Sequence, residues 1–452
     1  MMFHSTNHNT PDVDFKTAIL RGQALDKGLY MLNDIPSLSS KKIYAMRNKN
    51  MQDLAYTVLS KIIGDSIPET DLKRLINEAL NFKAPIEQIN QRDYICYLDR
   101  GPTNSFKDIG MRMLSKCMEY FLKQENKEIV ILVATSGDTG GAACNAFHNL
   151  DNIEVVVLYP KNEISDLQRK QMTTLGGNIT SIGIEGKFDD CQRYVKQAFA
   201  DQNLSHINLS SANSINFGRL LPQTLYYFWG YSRVIETEEE KVIFSVPSGN
   251  FGNLMGGLIA HKMGLPVQKF ISAVNENNEF PNFLRTGTYQ KIVPSKNCIS
   301  NAMNVGHPSN LARLIDLYGG QMDEQGTIHK RPDMESIRED IVSYSISDEF
   351  TKEIIVEFYK KYKKIIEPHG AVGWAAKQIY RENFPKDNDI KSITLETADP
   401  AKFPDEIIEL IDITPEIPPS LQKLEEKEEF PNPVEIQEYQ DFKEFLLNKF
   451  QN

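Results

Sequence analysis

The chain has 452 residues, 40% hydrophobic and 25% charged, which is ordinary for a soluble globular protein and enough for two or three structural units with ample buried core. A formal net charge of −11 argues against a nucleic-acid partner, because phosphate backbones demand basic patches. No apolar run approaches the ~20 residues that span a bilayer, and the segment Met1-Met-Phe-His-Ser-Thr-Asn-His8 lacks the basic and apolar regions of a signal peptide, so no membrane contact and a cytoplasmic location are expected. Five scattered cysteines (Cys96, Cys117, Cys144, Cys191, Cys298) form no CxxC pair, which points to reduced thiols and to no metal site.

Residues 1–92 read as a mainly helical supporting domain. Leu54, Val58, Leu59, Ile62 and Ile63 recur at helical spacing before a C-capping Gly64. Thr70 is expected to cap a second helix carrying Leu72, Leu75, Ile76, Ala79 and Leu80. Strand-like apolar runs at 129–133, 153–158 and 179–184 then alternate with helical segments at 142–150, 165–175 and 188–200. The rhythm resumes with a strand at 242–246, a helix at 254–263, a strand at 267–274, a long charged helix at 347–364 and a late strand at 390–394. This alternation predicts an α/β fold with doubly wound, mostly parallel sheets. The expected units are a smaller lobe over 93–220 and a larger lobe over 221–410, followed by an acidic segment, 411–452, that forms a surface wrap or mobile tail.

Four polar segments carry the chemistry. In Gly101-Pro-Thr-Asn-Ser-Phe-Lys107-Asp108, one lysine lies between Phe106 and Asp108 at an expected helix start. A lysine attacks an aldehyde only when its amine is partly neutral, which burial and neighbouring cations provide. A surface lysine is the ordinary alternative, and it yields here only because of the other three segments. In Pro247-Ser-Gly-Asn-Phe-Gly-Asn253, between a strand and a helix, Gly249 and Gly252 let the backbone of Ser248, Asn250, Phe251 and Asn253 approach a phosphate. It is neither a dinucleotide fingerprint nor a P-loop, and a plain turn is the alternative. Thr135-Ser136-Gly137-Asp138-Thr139-Gly-Gly141 has the same placement and suits a carboxylate. Thr397, after the late strand, suits a pyridine nitrogen, although most threonines so placed are structural. Asn213, Asn216 and Arg219 offer amides and a guanidinium for a second phosphate, or simply begin an amphipathic helix. His307 and His369 are taken as structural. Together the segments supply the parts needed to hold pyridoxal 5'-phosphate.

In order and content these motifs resemble threonine synthase, a pyridoxal-phosphate enzyme of the tryptophan-synthase-β-like fold type II. The resemblance is carried by Gly101-Pro-Thr and Ser105-Phe-Lys-Asp, Ala134-Thr-Ser-Gly-Asp-Thr-Gly, Asn213-Ser-Ile-Asn, Gly249-Asn-Phe-Gly, Gly306-His-Pro-Ser-Asn and Thr397-Ala with Pro400-Ala-Lys-Phe. It implies two lobes around a cofactor cleft and a Schiff base at Lys107. It also implies cofactor phosphate on the 249–253 loop, pyridine nitrogen at Thr397 and substrate carboxylate on the Ser136 turn. The implied reaction converts O-phospho-L-homoserine and water to L-threonine and phosphate, in a monomer or homodimer. The sequence departs from the family's usual pattern in the N-terminal run Asp26-Lys-Gly-Leu-Tyr-Met31, at Asn104 and Ser105 before Phe106, and at Asp399 where histidine is common. A related phospholyase or dehydratase releasing a keto acid, ammonia and phosphate would use the same cofactor residues. A catalytically silent binding protein is the reading from another class.

Overall fold

The computed structural model describes residues 1–135 and 137–450. Two parallel sheets position the cleft. The larger has six strands in the order Ile341–Ser345, Val267–Val274, Val242–Pro247, Ser392–Glu396, Asp93–Tyr97 and Ile86–Gln88, all parallel except the last. The smaller has four parallel strands, Ile179–Ile184, Ile153–Pro160, Ile129–Ala134 and Leu209–Ser211. Every residue of Ile129–Ala134, Val242–Pro247 and Ser392–Glu396 is buried. Helices cover both faces of these strands, which is why they read as unbroken apolar runs rather than as alternating ones.

Two features differ from the expected organisation, and a third decides between two expected alternatives. First, the N-terminal region contains an antiparallel sheet of Met2–Ser5, Val13–Asp14 and Tyr30–Leu32 beside its helices. Asn50 caps Met51–Ile63 and Gly64, at φ 58°, ends it. The next helix, Glu69–Ala79, begins at Pro68, so Thr70 lies inside the first turn; proline's fixed φ sets the start, and Glu69 and Asp71 occupy that turn.

Second, the strand Asp93–Tyr97, expected in the smaller lobe, pairs with Ser392–Glu396 in the larger sheet. Its Asp93 accepts from Ser392 Oγ at 2.7 Å, a pairing 299 positions apart in the chain.

Third, the C-terminal segment is a packed wrap. Pro419–Glu425 lies on Asp166–Thr173, and Tyr439–Lys449 lies on Phe188–Ala200. Leu421, Phe442 and Leu446 are fully buried there, and Arg169 holds Glu429 through two bonds of 2.9 Å. The acidic composition concealed a short apolar stripe at i, i+4. Among the described residues no helix is long and apolar enough to cross a membrane.

Candidate active site

A short antiparallel contact brings two distant segments together. Ser105 bridges Ala398, Phe106 N–H donates to Thr397 O at 3.0 Å, and Asp399 N–H donates to Asn104 O at 3.2 Å. Thr397 is thereby fixed beside Lys107, the first residue of the helix Lys107–Glu125. Across the cleft Asp138 opens the helix Asp138–Phe147 at the end of Ile129–Ala134. Lys107 Nζ is 3.6 Å from Asp138 Oδ2, while Lys402 Nζ is 2.8 Å and Gln168 Nε2 3.2 Å from Asp138 Oδ1. Asp138 is thus satisfied mainly by Lys402, and the Lys107 amine is held only loosely.

Burial pushes the Lys107 amine down to about 8, against the pull of Asp138 and with help from Arg219 and Lys402. Burial alone would raise the Asp138 carboxyl, but Lys402 and Lys107 hold it well below the usual carboxylate range. The site therefore keeps a carboxylate beside an amine poised between its charged and neutral forms.

The opposite wall is an anion cradle. The amides of Gly249, Asn250, Phe251, Gly252 and Asn253 have no acceptor among the described residues. They lead into the helix Gly252–Lys262, whose first turn carries no acidic residue, so its positive dipole end is left for a ligand. Phe251 reaches this arrangement at φ 60°. A Cβ on Gly249 would come within 3.0 Å of Ala302 O and 3.1 Å of Met303 Cα, so any side chain there would force this backbone to give way by a few tenths of an ångström. Asn310 supports it from behind, its Nδ2 donating to Asn250 O at 3.0 Å.

Arg219 lines the same cavity with 4% of its surface exposed. Its Nη1 donates to Ala212 O at 2.9 Å, its Nε has no partner among the described residues, and burial pushes the guanidinium down to about 10. A buried guanidinium with an unmet donor is a site for an anion.

Thr397 lines the cavity, and its Oγ donates to Glu367 Oε1 at 3.3 Å. Glu367 also caps the helix Pro368–Asn383 and accepts from His369 Nδ1 at 2.5 Å. Since His369 Nε2 accepts from Ala302 N–H at 3.1 Å, both ring nitrogens are committed, and this histidine is structural although it lines the cavity. Behind them burial, with Glu367 and Asp99 nearby, raises Glu396 well above the usual range. Burial likewise raises Asp99 to about 7.

Of the expected residues, Phe106, Lys107, Asp138, Thr139, Asn213, Arg219, Gly249, Asn250, Phe251, Gly252, Asn253 and Thr397 line one cavity. Others do not face it. Asp108 accepts from Thr103 N–H at 2.8 Å and Oγ at 2.6 Å, which closes the turn before Lys107. Ser248 Oγ donates to Val246 O. Thr135 Oγ braces the amides of Gly137 and Gly140, so Thr135 and Gly137 shape the turn instead of lining the cavity. Asn216 caps a helix and donates to Ile19 O and Ser211 O. Each is a short polar side chain whose donors and acceptors are consumed by its own backbone surroundings. Asn213 faces the cavity, but its Nδ2 is bound to Ala134 O at 3.0 Å. Ser136 lies outside the described residues.

Sequence reasoning gave Lys402, Gln168 and Glu367 no role. Lys402 stands in the Pro400-Ala-Lys-Phe403 motif, a signal that pointed to it without revealing its partner. Asn104, at φ 54°, accepts Ser420 Oγ at 2.6 Å, Ser105 Oγ accepts Lys107 N–H at 3.3 Å, and Asp399 holds Arg100 at 3.0 Å. The unusual residues are thus anchored in local structure.

An open-amide cradle, a poised lysine and a hydroxyl aimed between two parallel-sheet lobes fit pyridoxal phosphate, and they define a pyridoxal-phosphate-dependent enzyme. The family described as "Pyridoxal-phosphate dependent enzyme" matches residues 82–394, flanked by "Threonine synthase N terminus" over 2–80 and "Threonine synthase, C-terminal" over 370–446. Threonine synthase of Buchnera aphidicola is 36% identical over 425 residues, 93% of this chain and 94% of that one. The crystal structure of pyridoxal-phosphate-bound threonine synthase from Brucella melitensis superposes with a TM-score of 0.92 at 31% identity, covering 100% of both chains. That of Escherichia coli threonine synthase gives 0.88 at 33% identity, over 99% of this chain and 100% of that one. The chain belongs to the threonine synthase family.

Proposed function

We propose that the chain converts O-phospho-L-homoserine and water to L-threonine and inorganic phosphate. The observation that carries this reading is the loosely held Lys107 amine, 3.6 Å from Asp138, in a cavity that also presents two separate anion-binding groups. Lys107 would hold the cofactor aldehyde, the 249–253 amides its phosphate and Thr397 its pyridine nitrogen. When bound, the cofactor supplies an electron sink for charge that develops on the substrate carbons.

The protein's own groups do the rest. The Lys107 amine, once free, takes the α-proton, assists loss of a β-proton, returns a proton to the γ-carbon and at the end restores one to the α-carbon. Phosphate leaves the γ-carbon with its electron pair, water adds its hydroxyl at the β-carbon, and the remaining proton of water balances the one the free phosphate takes up. Arg219 holds the departing phosphate through its unmet Nε–H. The turn from Thr135 to Thr139, Ser136 included, holds the substrate carboxylate. Asp138 keeps the amine oriented, and Lys402 keeps Asp138 charged. The chain acts in the cytoplasm as a monomer or homodimer, and its net charge of −11 leaves no role for nucleic acid.

The test is to incubate the cofactor-loaded protein with O-phospho-L-homoserine and to identify the organic product by mass spectrometry alongside a phosphate assay. L-threonine with equal phosphate is expected. A keto acid with ammonia would replace the synthase reading with a phospholyase.

A further inference from the structure

Outside the cleft, two histidines that sequence spacing left without a role meet one aspartate. His4 lies on the strand Met2–Ser5 and His8 in the turn that follows, at φ 55°. Asp316 lies 308 positions beyond His8, on the helix Leu311–Leu317. His4 Nε2 is 2.9 Å from Asp316 Oδ2 and His8 Nε2 is 2.9 Å from Asp316 Oδ1. The imidazoles stack, with centroids 4.9 Å apart, and the ligand atoms of all three side chains lie within 4.8 Å of one another. Only 7% of the Asp316 side chain is exposed, and no other donor reaches its carboxylate among the described residues.

The surroundings decide which His4 nitrogen carries the proton. Asn33 Nδ2 donates to Asp12 Oδ2 at 2.6 Å, which turns Asn33 Oδ1 toward His4 Nδ1 at 3.1 Å. Nδ1 is therefore the donor, and in the neutral ring Nε2 aims a lone pair at a carboxylate oxygen. Two acceptors at that distance need a proton or a metal cation between them. A hydrogen-bonded Nδ1–H that frees Nε2 is also how proteins orient a metal-ligating histidine.

We propose that His4, His8 and Asp316 form a structural site for a divalent cation of the zinc class. Two imidazole nitrogens and a carboxylate suit such an ion, whereas magnesium and calcium take oxygen sets. Ligand bonds of about 2.0–2.2 Å require only small outward shifts from the present 2.9 Å contacts. His8, with 48% of its side chain exposed, leaves an open side for solvent to complete the coordination. The ion would clip the N-terminal strand to the helix whose Arg313 holds Tyr30 O, Ser214 O and Ile215 O at 2.9, 2.9 and 2.6 Å. Asn310, the cap of that helix, supports the 249–253 cradle, so the clip braces the cleft from outside without touching it.

The test uses the cofactor-loaded full chain, treated with chelator and titrated with zinc chloride by calorimetry, with Tm measured in parallel. One ion per chain is expected, with a Tm that rises with zinc and is unmoved by magnesium. His4→Gln and His8→Ala should each weaken binding at least tenfold, and Asn33→Ala about tenfold through loss of the orienting bond. His329→Ala, at a histidine paired only with Asp323, should bind as the parent does. Visible cofactor absorption reports that each variant is folded. Absence of stoichiometric binding to the parent would overturn the site. So would unchanged zinc affinity in a folded His4→Gln/His8→Ala double variant.

Discussion

Two buried aspartates, Asp93 and Asp138, sit between cations in different parts of the molecule, and burial pushes the lysine beside each, Lys377 and Lys107, down to about 8. Their surroundings differ. Lys377 Nζ is 2.9 Å from Asp93 Oδ2 and 3.5 Å from the centre of the Trp374 ring. Arg381, Ser392 and Asn90 complete the Asp93 carboxylate at 3.1, 2.7 and 2.8 Å. Neither Asp93 nor Lys377 lines the cleft cavity, and the cluster fastens a helix to two strands. Lys107 is 3.6 Å from a carboxylate already satisfied by Lys402, and it faces the cavity. A depressed lysine thus marks burial in both places; only the loosely held amine with space before it can do chemistry.

The largest expected effect separates the two lysines. Lys107→Ala should abolish the visible cofactor band and lower kcat by about 10²–10⁴-fold, with unfolding free energy changed by less than about 1 kcal/mol. A coloured variant of full activity would sink the assignment.

Asp93→Ala should do the reverse. It leaves Lys377 and Arg381 buried without a counter-ion, so urea denaturation should report a loss of about 3–5 kcal/mol while the folded fraction keeps its kcat. Asp93 is held below the usual carboxylate range: burial raises it, but Lys377 and the hydrogen bonds of Asn90, Lys377 and Ser392 prevail. Its contribution to stability is therefore present above about pH 4 and lost as pH falls further, so the parent's acid limb should be steeper than the variant's.

Lys402→Met tests how the Lys107 amine is poised. Lys402 pushes that amine down and occupies Asp138, so its loss should raise the amine and move the ascending limb of kcat/KM to higher pH. An unmoved limb would leave burial and Arg219 responsible.

The smallest effect is expected at Asp399→His, which removes one of two carboxylate partners of the 42%-exposed Arg100 side chain and the cap on Ala401 N–H. Stability should fall by no more than about 1 kcal/mol, and L-threonine should remain the product. A switch to keto acid would move substrate choice to this position.

Much of the fold was legible because its signals are local. The runs at 129–133, 179–184 and 242–246 are strands because β-branched and apolar residues pack well when helices cover both faces. The Pro247–Asn253 turn was legible because glycine in a strand-to-helix turn has few uses besides close approach to a ligand. Elsewhere composition left two outcomes open, a surface wrap or a mobile tail. The acidic 411–452 segment buries Phe442 and Leu446 against a helix that sequence could not name as its neighbour.

The residues of Lys107, the amide cradle and Thr397 were set out by sequence alone, since each motif carries its chemistry within a few positions. Tertiary structure alone decided which charges meet. Lys402 and Asp138 are 264 positions apart, Asp93 and Lys377 are 284 apart, and Asp316 lies 312 positions from His4. It also decided that Asp108, Ser248 and Asn216 face their own backbone instead of the cleft. The reason is physical: turn and strand preferences act over neighbouring residues, whereas a buried charge is settled by whichever partner the folded chain brings within about 4 Å.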